Sequence, residues 1–143
     1  GPRRRYAAPA GRVMFALDTD TVSYWLRGQG RVAEFLSKAG PTQIAVPSVV
    51  LHELRYGMLR TGGGTRKRTD LESFLAAVLV LPFDARAADA AAQARIELER
   101  TGQQVGPFDI LIAGTALASG ATLVTHNLRE FGRIRDLRLA DWY

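Results

Sequence analysis

The chain has 143 residues, 47% of them hydrophobic, and no cysteine. This length fits a single domain with a sizeable core, and the composition excludes a disordered charged tail, a disulfide scaffold and a thiolate zinc site. The formal net charge is +5, but without the four arginines of residues 1–13 the chain has 15 basic residues against 14 acidic ones. The excess positive charge therefore lies in its first segment.

The first 13 residues differ from the remainder in composition. They hold four arginines, no acidic residue and no apolar periodicity. We therefore predict that residues 1–13 form a disordered basic arm or a tag remnant, and that residues 14–143 form one folded domain. A nucleic-acid-binding arm is the less favoured alternative. No apolar run approaches the ~20 residues of a membrane span, so we expect a cytoplasmic protein that does not bind membranes.

The folded part alternates continuous apolar runs with segments of helical periodicity, separated by glycine and proline breaks. We expect Thr19, Asp20 or Thr21 to cap the first helix, and Ser48 to cap the third. A further short helix is expected between the last two strands. This alternation predicts a three-layer α/β/α domain with a mostly parallel central sheet. In chain order the pattern predicts strand 13–17, a helix that follows its cap at 19–21 and is broken by Gly28 and Gly30, and helix 31–39. Then come strand 43–46, helices 48–59 and 66–78, strand 80–81, helices 85–100 and 108–119, strand 121–125 and edge strand 137–139.

Acidic and amide side chains occur at points that such a fold brings to one edge of the sheet. Asp18 follows the first strand, and Asn127 follows the strand at 121–125. Glu53 lies in an otherwise apolar helix, and Asp109 lies in the first turn of the most apolar helix. Sites in open α/β sheets form outside the carboxyl ends of the strands, so these residues are candidates for one site.

Each acid has an ordinary structural interpretation when it is considered alone. Asp18 would act as a helix cap, Glu53 as a surface residue paired with a nearby arginine, and Asp109 as a helix-start residue. Together they form a more informative pattern, because clustered carboxylates repel one another unless a hard divalent cation neutralises them. The pattern therefore favours an all-oxygen site for Mg²⁺ or Mn²⁺.

Four segments, in this order, resemble the PIN-domain ribonucleases, and most closely the VapC-like toxins of bacterial type II toxin–antitoxin pairs. The matching segments are FALDTDTV at 15–22, PSVVLHELRYG at 47–57, GPFDILIA at 106–113 and LVTHNLREF at 123–131. The resemblance implies a PIN-like domain over residues 14–143. It also implies an endoribonuclease, dependent on Mg²⁺ or Mn²⁺, in which a metal-activated water cleaves RNA phosphodiester bonds.

The resemblance carries over to individual residues. Asp18, Glu53 and Asp109 match the acidic metal ligands of the family, and Asn127 occupies a fourth catalytic position where many members have Asp. Asp20 departs from the usual Asn, and we expect it to cap the helix rather than to bind metal. The resemblance also implies a homodimer and a cognate VapB-like antitoxin that inhibits the enzyme by filling the acidic cleft.

RNA binding requires basic side chains near the acidic site, because affinity for nucleic acids depends on contacts with phosphates. A solvated helix end is the alternative for the basic run at 66–68. The candidate substrate-binding residues are Arg27, Arg55, Arg60, Arg66, Lys67 and Arg68.

Some polar and aromatic side chains receive no catalytic role. We expect the hydroxyls of Thr19 and Thr125 to serve capping or strand packing, and His126 to be exposed or hydrogen-bonded. His52 is expected on a different face of the helix from Glu53, and we assign it no role. The aromatic residues Tyr24, Trp25 and Tyr56 are candidates for a dimer surface or for the core.

Two other functions remain as alternatives. One is a haloacid-dehalogenase-like phosphatase in which Asp18 is the nucleophile and Asp20 the acid/base, although the two lysines, Lys38 and Lys67, are poorly placed for that reaction. The other is an inactive PIN-like binding module whose acidic cleft docks the basic tail of a partner.

Overall fold

The computed structural model describes residues 13–143, so the expectation for the basic arm concerns residues outside it except for Val13. The order of strands and helices predicted from the sequence is confirmed, with ends that differ by one or two residues. A short 3-10 helix (Pro41–Gln43) precedes the second strand. The strands are β1 (Phe15–Leu17), β2 (Ile44–Pro47), β3 (Leu79–Leu81), β4 (Thr122–Val124) and β5 (Leu139–Ala140). The α-helices are α1 (Thr19–Leu26), α2 (Val32–Lys38), α3 (Ser48–Thr61), α4 (Thr65–Ala77), α5 (Ala85–Arg100), α6 (Pro107–Ser119) and α7 (Leu128–Phe131).

The five strands form one sheet in the order β3-β2-β1-β4-β5. Every pairing between neighbouring strands is parallel, which confirms the predicted α/β class with a parallel sheet. Strands β2 and β3 lie on one side of β1, and strands β4 and β5 lie on its other side. The strand order therefore reverses between β1 and β4, and the carboxyl ends of these two strands border the crevice where ligands bind in such sheets.

Helices cover the sheet and bring distant segments together. Helix α1 contacts α2, α3 and α4, whereas α5 packs along α6, and α3 also contacts α6. The central strands are fully buried, as their continuous apolar sequences predict, with Ala16, Leu17, Val46 and Val124 each 0% exposed. No helix in residues 13–143 combines the length and the apolarity needed to cross a membrane.

The expected helix caps are wrong at two positions. The N-cap of α1 is Asp18 itself, whose Oδ1 accepts a hydrogen bond of 2.9 Å from the Thr21 backbone N–H. The N-cap of α3 is Pro47, and Ser48 is the first helical residue. The Ser48 hydroxyl instead accepts a hydrogen bond of 3.0 Å from the Phe83 N–H, because the loop after β3 lies against the start of α3.

The contact between α5 and α6 depends on a glycine. A Cβ atom at Gly114 would lie 2.6 Å from the Ala91 Cβ and 2.7 Å from the Ala87 carbonyl oxygen. These distances are below van der Waals contact, so the two helices approach as closely as they do because position 114 lacks a side chain.

We expect Gly114→Ala to lower the free energy of unfolding by about 1–3 kcal/mol, because the added methyl group forces the packed helices apart. The matched control is Gly57→Ala in α3, where a Cβ atom would have nothing within 4 Å. That change should raise stability by about 0.5–1 kcal/mol through the higher helix propensity of alanine. Urea unfolding of the three proteins tests this pair, and equal effects at the two sites would contradict the close approach.

Candidate active site

Asp18 lies at the carboxyl end of β1 and is only 5% exposed. Its backbone N–H donates a hydrogen bond of 3.1 Å to the Val124 carbonyl oxygen, and the Thr21 hydroxyl donates one of 3.0 Å to the same oxygen. Burial raises the pKa of the Asp18 carboxyl, and hydrogen bonds from Thr21 and Thr125 lower it in part. Asp18 is thus a buried carboxylate held in one position where the strand order reverses.

Glu53 projects from α3 toward the start of α1. The Thr19 hydroxyl donates a hydrogen bond of 2.6 Å to Glu53 Oε1, which fixes the carboxylate beside the Asp18 end of α1. The alternative interpretation paired Glu53 with a surface arginine. The described ion pairs do not include Glu53, so the structure does not support that pairing. The Thr19 hydroxyl therefore orients a candidate metal ligand.

Asp109 lies in the first turn of α6, and Pro107 occupies the favoured N-terminal position of that helix. Burial raises the pKa of the Asp109 carboxyl to about 6, and the negative charges of four other acids add to the rise. These acids are Glu130, Asp18, Glu53 and Asp20. The three carboxylates predicted as one site, from β1, α3 and α6, are thus close enough to interact electrostatically.

Glu130 is a functional candidate that the sequence analysis did not single out. Its Oε1 accepts a hydrogen bond of 2.6 Å from the Gly106 N–H at the start of α6. Its Oε2 accepts one of 2.8 Å from the Asn127 side-chain amide, and the two bonds hold the pKa of Glu130 below its ordinary value. The only sequence signal was its place in the first turn of a short helix, three residues after Asn127.

Asn127 occupies the predicted position after β4. Its backbone N–H donates a hydrogen bond of 3.0 Å to the Thr125 hydroxyl, while its side chain is used to hold Glu130. The hydroxyl of Thr125 thus contacts both Asn127 and Asp18 rather than serving strand packing alone. Asn127 is placed to support an acidic residue of the site.

The donor set fits a hard divalent cation in its chemistry. The charges of four acids act on Asp109, and no ion pair in the described part of the chain brings a basic side chain to any of these five residues. Within residues 13–143, however, no three Asp, Glu or His side chains already stand as a ready metal-binding cluster. Thr19 and Thr21 hold two of the carboxylates in hydrogen bonds, so a bound cation would have to draw the acids together.

A groove of about 860 Å³ lies between α1, α3 and α4, and Glu53 is the one acid of the candidate site among its described lining residues. Arg27, Arg60, Arg66 and Lys67 line this groove together with Thr19 and Glu53, which brings four of the six predicted basic residues to the candidate site. The two other predicted basic residues are not among the described lining residues. These are Arg55, which forms an ion pair with Glu72, and Arg68.

The histidines and aromatic residues occupy mixed environments. His126 is hydrogen-bonded to Asp141 at 2.9 Å, as expected for an exposed or hydrogen-bonded histidine. The His52 ring lies 5.7 Å from the exposed Phe108 ring, across the contact between α3 and α6. Trp25 packs against the core, whereas Tyr56 is 58% exposed. Of these two residues, only Tyr56 is therefore still a candidate for the predicted dimer surface.

The raised pKa of Asp109 predicts a pH-dependent stability. The folded protein keeps this proton up to about pH 6, whereas the unfolded chain releases it near pH 3.8, so stability decreases as pH rises between these values. We expect Asp109→Asn to raise the free energy of unfolding of the metal-free protein by about 1 kcal/mol at pH 7.5, after allowance for partial solvent screening. Urea unfolding in EDTA at several pH values measures this difference.

The difference between Asp109→Asn and the unmutated protein should shrink as the pH is lowered toward 4. Asp89→Asn is the matched control, because it removes an aspartate charge from an exposed position of α5. A loss of stability in Asp109→Asn at pH 7.5 would contradict the repulsion among the acids.

Comparison with known proteins identifies the family. The PIN domain profile matches residues 15–137. The tRNA(fMet)-specific endonuclease VapC of Salmonella typhimurium is 36% identical over 128 residues, which cover 90% of this chain and 97% of that protein. Ribonuclease VapC2 of Rickettsia felis is 39% identical over 99 residues, or 69% of this chain and 74% of that protein.

Comparison of the fold with solved structures identifies the same family. The crystal structure of VapBC2 from Rickettsia felis, bound to a DNA fragment from its promoter, contains a chain that superposes with a TM-score of 0.83 at 32% identity. The match covers 92% of this chain and 100% of that chain. The resemblance to VapC-like PIN proteins seen in the four sequence segments is confirmed, and the chain belongs to the PIN domain family.

Proposed function

We propose that this chain is an endoribonuclease, dependent on Mg²⁺ or Mn²⁺, that acts as the toxin of a toxin–antitoxin pair and is inhibited by its antitoxin. The observation that supports the proposal is that the charges of Asp18 and Glu53 help to raise the pKa of Asp109, so acids from three separate elements lie within electrostatic range of Asp109 and have no basic partner among the described ion pairs. The ribonuclease names of the similar proteins support RNA as the substrate, and the VapBC complex supports an antitoxin partner.

In this proposal Asp18, Glu53 and Asp109 hold the divalent cation. When bound, the cation supplies hydroxide near neutral pH and offsets the negative charge that grows on the phosphate. Burial and the Thr21 N–H keep Asp18 in place, and the Thr19 hydroxyl keeps Glu53 turned toward the site. Asp109 keeps its proton up to about pH 6, so its carboxylate is fully available as a ligand only above that pH.

The remaining polar residues support the ligands in this proposal. Glu130 ties the Gly106 N–H at the start of α6 to the amide of Asn127 after β4, which sets the position of Asp109 relative to β4. The negative charge of Glu130 also acts on Asp109, in addition to the charges of Asp18, Glu53 and Asp20. Asn127 therefore acts through Glu130 in our proposal, and it is a positioning residue.

RNA would enter along the groove between α1, α3 and α4. Arg27, Arg60, Arg66 and Lys67 would contact its phosphates, and Glu53 lines the same groove, so a strand bound there would lie beside one of the proposed metal ligands. Basic residues of the antitoxin would neutralise the same carboxylates when its terminal segment fills this cleft. The roles of Arg55 and Arg68 in RNA binding and the homodimer stay predictions.

Neither alternative function gains a supporting observation. In the phosphatase, Asp18 would be the nucleophile, but the residue is only 5% exposed and its Oδ1 caps α1. An inactive module needs only an acidic cleft that docks a basic tail, so the retention of all three acids at the family's ligand positions, Asp18, Glu53 and Asp109, argues against it.

We expect Asp18→Asn and Asp109→Asn each to lower Mg²⁺-dependent RNA cleavage by at least about 100-fold, because each removes a charged cation ligand. Asparagine is also a good N-cap, so Asp18→Asn should leave α1 intact. The measurement is the cleavage rate of a labelled single-stranded RNA with Mg²⁺ and with EDTA, alongside circular dichroism of each variant.

The control for these two variants is Asp89→Asn, which should cleave at the unmutated rate. Mg²⁺ should also raise the thermal midpoint of the unmutated protein and leave that of Asp109→Asn nearly unchanged, because a ligand stabilises only the state that binds it. Undiminished cleavage by both folded variants would refute the site assignment.

Asp20 is exposed and its charge raises the pKa of both Asp18 and Asp109, so it repels the ligands without being required to hold the cation. We therefore expect Asp20→Ala to lower the cleavage rate by less than about tenfold, within the range of an outer-shell change. Asp18→Ala, measured in parallel, should lose far more. Equal losses in the two variants would make Asp20 a metal ligand.

A further inference from the structure

Three aromatic side chains from distant parts of the sequence meet beside the acidic site. The rings of His126 and Tyr143 are stacked, with centroids 4.4 Å apart and an interplanar angle of 22°. Tyr24 of α1 meets Tyr143 edge-on at 4.7 Å and His126 edge-on at 6.1 Å. These three residues, called here the aromatic cluster, form a continuous set of rings that the proposed cleavage chemistry does not use.

The aromatic cluster borders the acidic site. The Asp18 N–H is bonded to the Val124 carbonyl oxygen, two residues before His126, and the residue after His126 is Asn127, which holds Glu130. Burial raises the pKa of Tyr24, and the negative charges of Asp20 and Asp18 raise it further, so the phenol lies within electrostatic range of the acids.

The cluster is held rigidly by the residues around it. The Arg31 N–H donates a hydrogen bond of 2.9 Å to the carbonyl of Trp142, a 5% exposed residue whose ring stacks on Phe35. At Gly30, a Cβ atom would lie 2.8 Å from the Tyr143 Cα, so the chain needs glycine there. Because Trp142 is anchored in this way, the backbone of Tyr143 is held in place, and the Tyr143 ring lies at the surface.

Asp141 fixes the remaining geometry. One of its carboxylate oxygens is 2.9 Å from His126 Nδ1, and the other accepts a hydrogen bond of 3.0 Å from the Tyr143 N–H. The same side chain therefore orients the histidine ring and the backbone of the tyrosine that stacks on it. Such an arrangement reduces the entropy lost when a further ring is added to the stack.

The rings remain accessible to a ligand. Tyr143 is 48% exposed, and the His126 side chain is also 48% exposed. The Arg27 guanidinium lies 5.7 Å from the centroid of the Tyr24 ring and also lines the basic groove. A cation that can contact a phosphate thus stands between that groove and exposed aromatic surface, which is the combination used to bind single-stranded nucleic acids.

We propose that the aromatic cluster is a subsite that stacks one unpaired nucleobase of the RNA substrate and places the adjoining phosphate near Arg27. The inference rests on the proposed ribonuclease function and adds a contact surface for one base of the substrate. A base within a duplex is stacked on its neighbours and cannot reach these rings, whereas a splayed base has a free face. The competing explanation is that the cluster only anchors residues 141–143.

The test compares two ligands of equal charge. One is a fluorescent single-stranded oligoadenylate of about 12 nucleotides, and the other is a ribose-phosphate chain of the same length without bases. Anisotropy titrations of the unmutated protein in EDTA should show at least about tenfold tighter binding of the oligoadenylate, since stacking of a base on an aromatic residue has this magnitude. Equal affinity for the two ligands would overturn the proposal.

Variants then assign the difference to the cluster. Tyr143→Leu keeps an apolar side chain but removes the ring, and it should bring the two affinities within about twofold of each other by weakening only the oligoadenylate. Tyr143→Phe keeps the ring and should preserve the difference. The matched control is Tyr56→Leu, because Tyr56 is an exposed tyrosine on α3 whose ring has an arginine, Arg60, at 5.9 Å.

Thermal unfolding of each variant separates binding from folding. If Tyr143→Leu lowers the midpoint, His126→Leu serves as the second variant, since it removes the other stacked ring. A preserved tenfold difference in a folded variant of either residue would mean that the cluster is only an anchor. Cleavage by the unmutated protein with Mg²⁺ is measured separately, so a missing nuclease activity and a missing base preference are distinct outcomes.

Discussion

A carboxylate that caps a helix while almost excluded from water determines how the site is built. Asp18 joins the end of β1 to α1 through the Thr21 N–H, and its own N–H joins β1 to β4 at Val124. Burying a charge costs several kcal/mol unless it is compensated, and the raised pKa of Asp18 reflects that cost. Hydrogen bonds from two threonines compensate only in part, which leaves a carboxylate suited to a cation.

The other acids increase this unfavourable charge instead of relieving it. Glu53 and Asp109 come from helices α3 and α6, which contact each other over the same edge of the sheet, and Glu130 is held nearby by the Gly106 N–H. A protein under selection for stability alone would place neutral side chains there. Carboxylates kept close together at a loss of stability are characteristic of a functional site. In our proposals the basic groove would contact the phosphates of RNA and the aromatic cluster would contact a base, so the two functions use separate surfaces.

The local features of the chain were predictable from the sequence. The order of strands and helices, the parallel sheet and the start of α6 at Gly106-Pro107 follow from apolar runs, helical periodicity and residues that break or cap helices. Asp18, Glu53 and Asp109 could also be grouped in advance, because Asp18 follows a parallel strand and all three match acidic positions of the family that the sequence resembles. The caps of α1 and α3 were misassigned, because Asp18 accepts the Thr21 N–H at the start of α1, and the Ser48 hydroxyl accepts the Phe83 N–H of a distant loop instead of capping α3.

Only the tertiary structure decided which distant residues meet. Glu130 is bonded to a backbone N–H 24 residues away, and Arg55 pairs with an acid 17 residues away, so neither contact leaves a periodic signal in the sequence. The same is true of the aromatic cluster, whose members come from α1, the end of β4 and the segment after β5. The periodicity of apolar residues indicates which face of a helix or strand is buried. The sequence by itself therefore determined the order of the helices and strands and the acidic residues that are candidates for the site. The strand order and the packing of the helices determine which of those faces are neighbours, and that information depends on contacts across the whole domain.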